Sequence, residues 1–152
     1  MISSTQIWQW LAEVPDPEIP VISVVDLGIV RDVRWDGDGW VVAVTPTYSG
    51  CPATIAISED IKSLLKSRGV DALRLEMQLS PAWTTDWISE AGKARLREFG
   101  IAPPIPRTGA PIACPRCSST HTDKVSEFGS TPCKAQYRCS DCLEPFDYFK
   151  CL

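Results

Sequence analysis

Four cysteines in the last 39 residues have the spacing of a metal knuckle. Cys114-Pro-Arg-Cys117 and Cys139-Ser-Asp-Cys142 are separated by twenty-one residues. Two residues between cysteines let a tight turn aim two thiolates at one ion, and two such turns complete a tetrahedral four-sulfur site. The spacing predicts a structural zinc ion held by Cys114, Cys117, Cys139 and Cys142. The same ligand type suits a rubredoxin-like iron centre, so zinc and iron both stay open. A redox-active pair would need only one of the two motifs. A closed four-thiolate site has no open coordination position, so it reads as a folding device and docking surface rather than a catalytic centre. About 39 residues hold too little core to fold unaided, which makes the ion part of the fold. His121, the single histidine, lies four residues past Cys117 and reads as a substitute ligand or as an ordinary surface residue. Cys133 and Cys151 are left without an assignment.

Outside the knuckle, Cys51 is the residue best suited to chemistry. It follows Gly50 and precedes Pro52, which opens a helix. Amide groups and the dipole at a helix start favour a thiolate. Thr47, Tyr48 and Ser49 come just before it, and Asp16, Glu18 and Asp26 lie in two loops upstream. A cysteine beside a helix start can equally be packing, and the carboxylates can be solvated loop residues or a helix cap. No histidine occurs before residue 121 to act as its base, which weighs against an independent thiol enzyme.

The elements that would carry these residues can be placed by pattern. Ser3 or Ser4 caps a first helix with Ile7, Trp8, Leu11 and Val14 on one face, stopped by three prolines in Pro15–Pro20. Strands follow at 29–35 and 40–45 around the hairpin signal Asp36-Gly-Asp-Gly39. A helix after Pro52 has Ile57, Ile61, Leu64 and Leu65 on one face and stops at Gly69. Alternation of Leu73, Leu75, Met77 and Leu79 with polar residues predicts a half-buried strand over 70–79. A last helix is expected from Thr85 or Asp86 to Phe99. Trp83 and Trp87 either anchor a partner or pack in the core. Residues 101–113, with four prolines, read as a semi-rigid linker. The expected organisation is thus a small α+β sandwich of helices on a short sheet over 1–100, the linker over 101–113, and a β zinc ribbon over 114–152.

Composition sets the outer limits. The chain has 152 residues, 44% hydrophobic content and a net charge of -4. The tail from Cys114 onward carries five basic and five acidic residues, and four metal-bound thiolates would make it more acidic. A nucleic-acid-binding ribbon usually has a basic footprint, so nucleic acid is not an expected partner. No apolar run approaches the ~18 residues that a membrane span needs, and the first twenty residues lack a signal-peptide pattern. The chain is expected to be cytoplasmic, with cysteines used as metal ligands or thiols rather than in disulfides.

Asp16-Pro-Glu-Ile-Pro20, Val25-Asp-Leu-Gly28 and the Gly50-Cys51-Pro52 loop before a helix resemble the MIP18 (DUF59) family. Those are small α+β proteins associated with iron–sulfur cluster assembly. Ser80-Pro-Ala-Trp-Thr-Thr-Asp-Trp87, Gly129-Ser-Thr-Pro-Cys-Lys134, the paired motifs and Glu144-Pro-Phe-Asp-Tyr-Phe-Lys-Cys151 resemble the D-subunit family of the bacterial phenylacetate-degradation system. The resemblance covers nearly the whole chain and implies a MIP18-like (DUF59) sandwich followed by a zinc ribbon. It also implies an accessory role beside the phenylacetyl-CoA epoxidase, assisting maturation of iron–sulfur or other metal centres in its reductase or oxygenase, without independent catalysis. By the same resemblance Cys51 is the reactive or cluster-contacting residue, holding iron or a cluster transiently, with Asp26 and Thr47 close by. The partners implied are the other subunits of that system, notably the iron–sulfur reductase, and a homodimer stays open. The rival reading is a non-catalytic scaffold subunit in which Cys51 is packing.

Overall fold

A computed structural model describes residues 1–47, 53–105, 111–129, 131 and 133–150. The chain divides into two compact units, Met1–Ser89 and Glu90–Leu152.

The first unit begins with α1 (Ser4–Leu11). Ser3 caps it by accepting from the Gln6 backbone N–H at 3.2 Å, and the Gln6 side chain accepts from Ser3 N–H at 2.9 Å. Ile7 and Leu11 are fully buried, while Trp8 is only half-buried. The proline-rich stretch after α1 folds back on itself. Val24 donates to the Val14 carbonyl and Asp16 donates to the Ile22 carbonyl, so a closed loop forms. That loop contributes Ile19, Ile22, Val24 and Leu27 to the core.

β1 (Val30–Trp35) and β2 (Trp40–Val44) pair antiparallel across the glycine turn. The Asp36 carboxylate accepts from the Asp38 and Gly39 backbones, each at 3.0 Å, and fixes that turn. α2 (Ala53–Ser67) crosses over and delivers β3 (Leu73–Met77) parallel to β2. A parallel partner requires such a crossover, and here the helix supplies it. α2 buries Ile57, Ile61 and Leu65 and ends at Gly69, whose φ of +92° no other residue adopts at so little cost. α1 packs against α2 and β1. The sheet order is β1-β2-β3, with β2 in the centre and Val41 to Val44 all buried.

β3 is shorter than its alternation suggests. Leu73 and Leu75 are half-buried, and Met77 and Leu79 are 45% and 68% exposed. An edge strand pairs on one side only, so its pattern does not oblige burial on a full face.

The stretch expected to be one helix over 85–99 is broken in two. A single turn spans Thr85–Trp87, capped by Thr84; Ile88 is then extended, and α3 runs over Glu90–Phe99. The cause is tertiary. The Ser89 backbone N–H donates to the Asp26 carbonyl at 2.8 Å rather than continuing a helix. Trp83 and Trp87 hold the same segment against the loop before β1. Trp83 is buried and its indole N–H donates to the Leu27 carbonyl at 2.9 Å. Trp87 lies over Gly28, with the Arg31 guanidinium 3.6 Å above its ring. Trp83 is thus used in packing, while Trp87 is half-buried and packs on Gly28 and Arg31.

The second unit comprises α3 and a four-stranded sheet in the order β4-β7-β6-β5. The strands are β4 (Ile101–Ala102), β5 (Thr122–Ser126), β6 (Lys134–Cys139) and β7 (Pro145–Phe149). The division between units therefore precedes α3, and the start of the expected linker is a strand. Ile101 and Ala102 pair parallel with Asp147 and Tyr148 and are buried. Ile105 and Ile112, also in the proline-rich stretch, pack on the ribbon core. Residues 106–110 lie outside the described residues.

Gly28 has a φ of +81°, and a Cβ there would stand 2.6 Å from the Trp87 Cβ. Gly28→Ala combines backbone strain with overpacking and should destabilise the chain by about 3 kcal/mol. A lower urea midpoint for the zinc-loaded variant is the expected reading, whereas Gly37→Ala, with no atom within 4 Å of the added methyl, should shift it less.

Candidate metal centre and the cysteine-bearing loop

The two cysteine motifs fold into near copies of each other. In the first, Cys114 N–H donates to the Ser119 carbonyl at 2.8 Å, and Arg116 N–H points at the Cys114 sulfur at 3.4 Å. In the second, Cys139 N–H donates to the Glu144 carbonyl at 3.0 Å, and Cys142 N–H points at the Cys139 sulfur at 3.5 Å. The residue after each second cysteine, Ser118 and Leu143, has a φ of +65°. That left-handed step closes the knuckle, and neither position is the glycine or asparagine that usually marks one.

The four sulfurs converge. One ligand atom from each of Cys114, Cys117, Cys139 and Cys142 lies within 4.8 Å of the others. The short pairs cross between knuckles: Cys114 to Cys142 at 3.7 Å and Cys117 to Cys139 at 3.5 Å. Sulfurs at the vertices of a tetrahedron around zinc stand about 3.8 Å apart for bonds of ~2.3 Å. Donor set and spacing therefore fit a divalent metal. Cys114 and Cys139 are buried in a cluster with Ala102, Phe146 and Tyr148. Tyr137 stacks on Phe146 at 5.9 Å and meets Tyr148 edge-on at 5.5 Å. Phe149 is buried but is not part of that cluster.

Crowded thiols titrate unevenly. The Cys142 backbone N–H lowers the Cys139 thiol to about 7 against the opposing effect of burial. The Glu144 backbone N–H stabilises a Cys142 thiolate, but burial and the neighbouring cysteines outweigh it and push that thiol up to about 12. Cys117 is also raised: burial and Cys139 overcome the Ser119 backbone N–H, the largest single influence.

His121 is exposed, and its Nδ1 lies 3.0 Å from an Asp141 carboxylate oxygen, outside the four-sulfur group. Cys133 is buried with its sulfur 3.0 Å from the Thr131 hydroxyl and is likewise not one of the four. Cys151 lies outside the described residues.

In the first unit, Cys51 also lies outside the described residues, as do Tyr48 and Ser49. Asp26 and Thr47 are described and half-buried. Val30 pairs with Val44 and the Thr45 N–H donates to the Ile29 carbonyl at 2.8 Å. That register puts the loop bearing Asp26 and the one bearing Thr47 at the same end of the β1–β2 pair. Ser23 and Ser89 fix Asp26: the Ser23 hydroxyl accepts from its backbone N–H at 3.0 Å, and the Ser89 hydroxyl donates to its carboxylate at 2.9 Å. Asp16 is buried, and its side chain accepts from the Glu18 N–H at 3.1 Å, which is a loop-forming role. Arg31 and Ser89 were not singled out by sequence reasoning, and Gly28 stood only in the Val25-Asp-Leu-Gly28 string.

An α+β unit with a parallel crossover is followed by a four-cysteine β-ribbon, and each part matches a known family. Residues 4–72 match the family of iron–sulfur cluster assembly proteins, and residues 105–150 match the PaaD zinc beta ribbon domain. A DUF59 domain from Bacillus anthracis has a similar fold, with a TM-score of 0.57 and 29% identity, covering 61% of this chain and 90% of that one. An Fe–S protein maturation auxiliary factor of Porphyromonas gingivalis is 39% identical over 88 residues, 57% of this chain and 83% of the relative. A protein of Escherichia coli (strain K12) ascribed to 1,2-phenylacetyl-CoA epoxidase as its D subunit is 51% identical over 152 residues, 97% of this chain and 92% of its own length. The chain belongs to the family of that D subunit. Among the described residues, no helix is long and apolar enough to cross a membrane.

Metal binding must displace whatever protons the four thiols hold. Cys142 keeps its proton at every pH below about 12, and Cys139 loses its own near 7. Zinc loading should therefore release about one proton more at pH 6 than at pH 8, and affinity should weaken as pH falls. Calorimetric titration in two buffers of different ionisation enthalpy reads that number directly.

Proposed function

We propose that this protein is a cytoplasmic accessory factor for the metal centres of the phenylacetyl-CoA epoxidase system, with no independent catalytic activity. The observation that carries the reading is the joining, in one chain, of an iron–sulfur assembly domain to the ribbon of the epoxidase-associated D subunit. Cys114, Cys117, Cys139 and Cys142 hold a structural zinc ion, which folds the ribbon as a docking surface. Cys51 holds iron or an iron–sulfur cluster in passage, as cargo. A thiolate is a suitable soft ligand for that task. By the family resemblance Asp26 and Thr47 serve the same site, and both lie at the end of the β1–β2 pair where β2 runs out towards α2. The client is a metal-bearing subunit of the system, and the iron–sulfur reductase is the first choice, since its centre is built from the same cargo.

Cells lacking the gene and supplied with a Cys51→Ala variant give the test. The variant should fold and retain its zinc, while iron and acid-labile sulfide in the purified reductase fall towards the level of the deletion strain. Full cluster occupancy in the reductase would remove the assembly role and leave Cys51 as packing in a scaffold subunit.

A further inference from the structure

We propose that Ser119, His121 and Asp141 form a polar clamp that holds the two cysteine knuckles at coordinating distance and slows the departure of the metal. The proposal rests on the reading of the four cysteines as a metal site. Asp141 sits inside the second motif, between Cys139 and Cys142, yet its carboxylate reaches back to the chain that leaves the first. One carboxylate oxygen, Oδ2, accepts from the Ser119 hydroxyl and lies 3.0 Å from His121 Nδ1. The Ser119 hydroxyl in turn accepts from the His121 backbone N–H at 3.1 Å, so one oxygen atom both receives and donates. The backbone supports the same junction, since Ser140 N–H donates to the His121 carbonyl at 2.8 Å and Cys114 N–H to the Ser119 carbonyl at 2.8 Å.

Charge makes Asp141 informative. Four thiolates around one divalent cation carry a net charge of about −2. Another anion beside that centre is repelled by it, so a carboxylate here gains nothing from the ion itself. It gains from its two donors, because a charged acceptor forms stronger hydrogen bonds than a neutral one. Both donors come from the three residues after Ser118, where the left-handed step turns the chain out of the first knuckle. The clamp thus joins the exit of one knuckle to the inside of the other. The sulfur pairs that span the same gap, 3.7 Å and 3.5 Å apart, gain little from each other without the ion. Groups of this kind, which touch no metal but fix the ligands, typically change metal affinity by 10–100-fold when removed. Ser119, His121 and Asp141 are positioning residues in that sense.

The experiment loads the full chain with zinc and follows transfer of the ion to a chromophoric chelator. Asp141→Ala should release zinc about tenfold faster than the unaltered chain. Cobalt-loaded Asp141→Ala should show the same four-sulfur ligand-field spectrum, so that the change is in retention and not in the ligands. Ser119→Ala should raise the rate by itself but add little in the Ser119→Ala/Asp141→Ala double variant, because both remove one contact. Glu127→Ala serves as the control, since its carboxylate pairs with Lys124 at 2.9 Å and Lys150 at 3.9 Å, neither of which belongs to a cysteine motif. Wild-type release rates in Asp141→Ala, or fully additive effects of the two substitutions, overturn the clamp. An unaltered chain that takes up no metal overturns both the clamp and the metal reading. If Asp141→Ala cannot be loaded, His121→Phe and Ser119→Ala each remove one donor and should still speed release; wild-type rates in both overturn the proposal.

Discussion

Four sulfur atoms drawn within 4.8 Å of one another are kept there cheaply only by a cation. Thiols at that distance gain little from each other, and thiolates repel. The second unit is arranged around this constraint. Its strands are two to six residues long, and the residues of β5 that follow Thr122 are all exposed. A sheet so small has little apolar area to bury. The core it does have is built on the sulfur site, with Cys114 and Cys139 packed against Phe146 and Tyr148. Metal binding and folding are one process in such a unit.

The first unit solves a different problem by different means. It has an ordinary core of Ile7, Leu11, Ile61, Leu65 and the buried residues of β2. What needs holding is the end of the sheet where Asp26 and Thr47 lie. Trp83, Trp87 and Ser89 reach that end from a distant part of the chain and fasten it by indole, stacking and hydroxyl contacts. A loop pinned by aromatics can present its neighbours at fixed positions while remaining at the surface. Rigidity is thus placed on the loop that carries Asp26.

The features legible in the sequence were those fixed by neighbours in sequence. Cysteine spacing, the face of α2, the Ser3 cap and the Asp36 turn each depend on a few consecutive residues. The features that were not legible depend on residues far away. Ser89 leaves a helical path because the Asp26 carbonyl takes its N–H. Ile101 and Ala102 look like the start of a proline-rich linker, and only β7 makes them a strand. The alternation in 73–79 describes a strand correctly but says nothing about what covers it. Ser118 and Leu143 adopt left-handed backbone without a glycine to announce it, because the knuckle geometry around the sulfurs dictates the turn. The loop with Cys51 showed its composition and its place before a helix, and no more.

The pairing of β4 with β7 bears on how the ribbon can be carried from one protein to another. A fragment beginning at Cys114 would contain all four ligands and would look complete. It would also strip β7 of its outer neighbour and turn a covered strand into an open edge, with Phe146, Tyr148 and Phe149 along it. Open apolar edges invite strands from other molecules. The portable unit therefore starts before its first cysteine, at the helix that hands the chain over to Ile101.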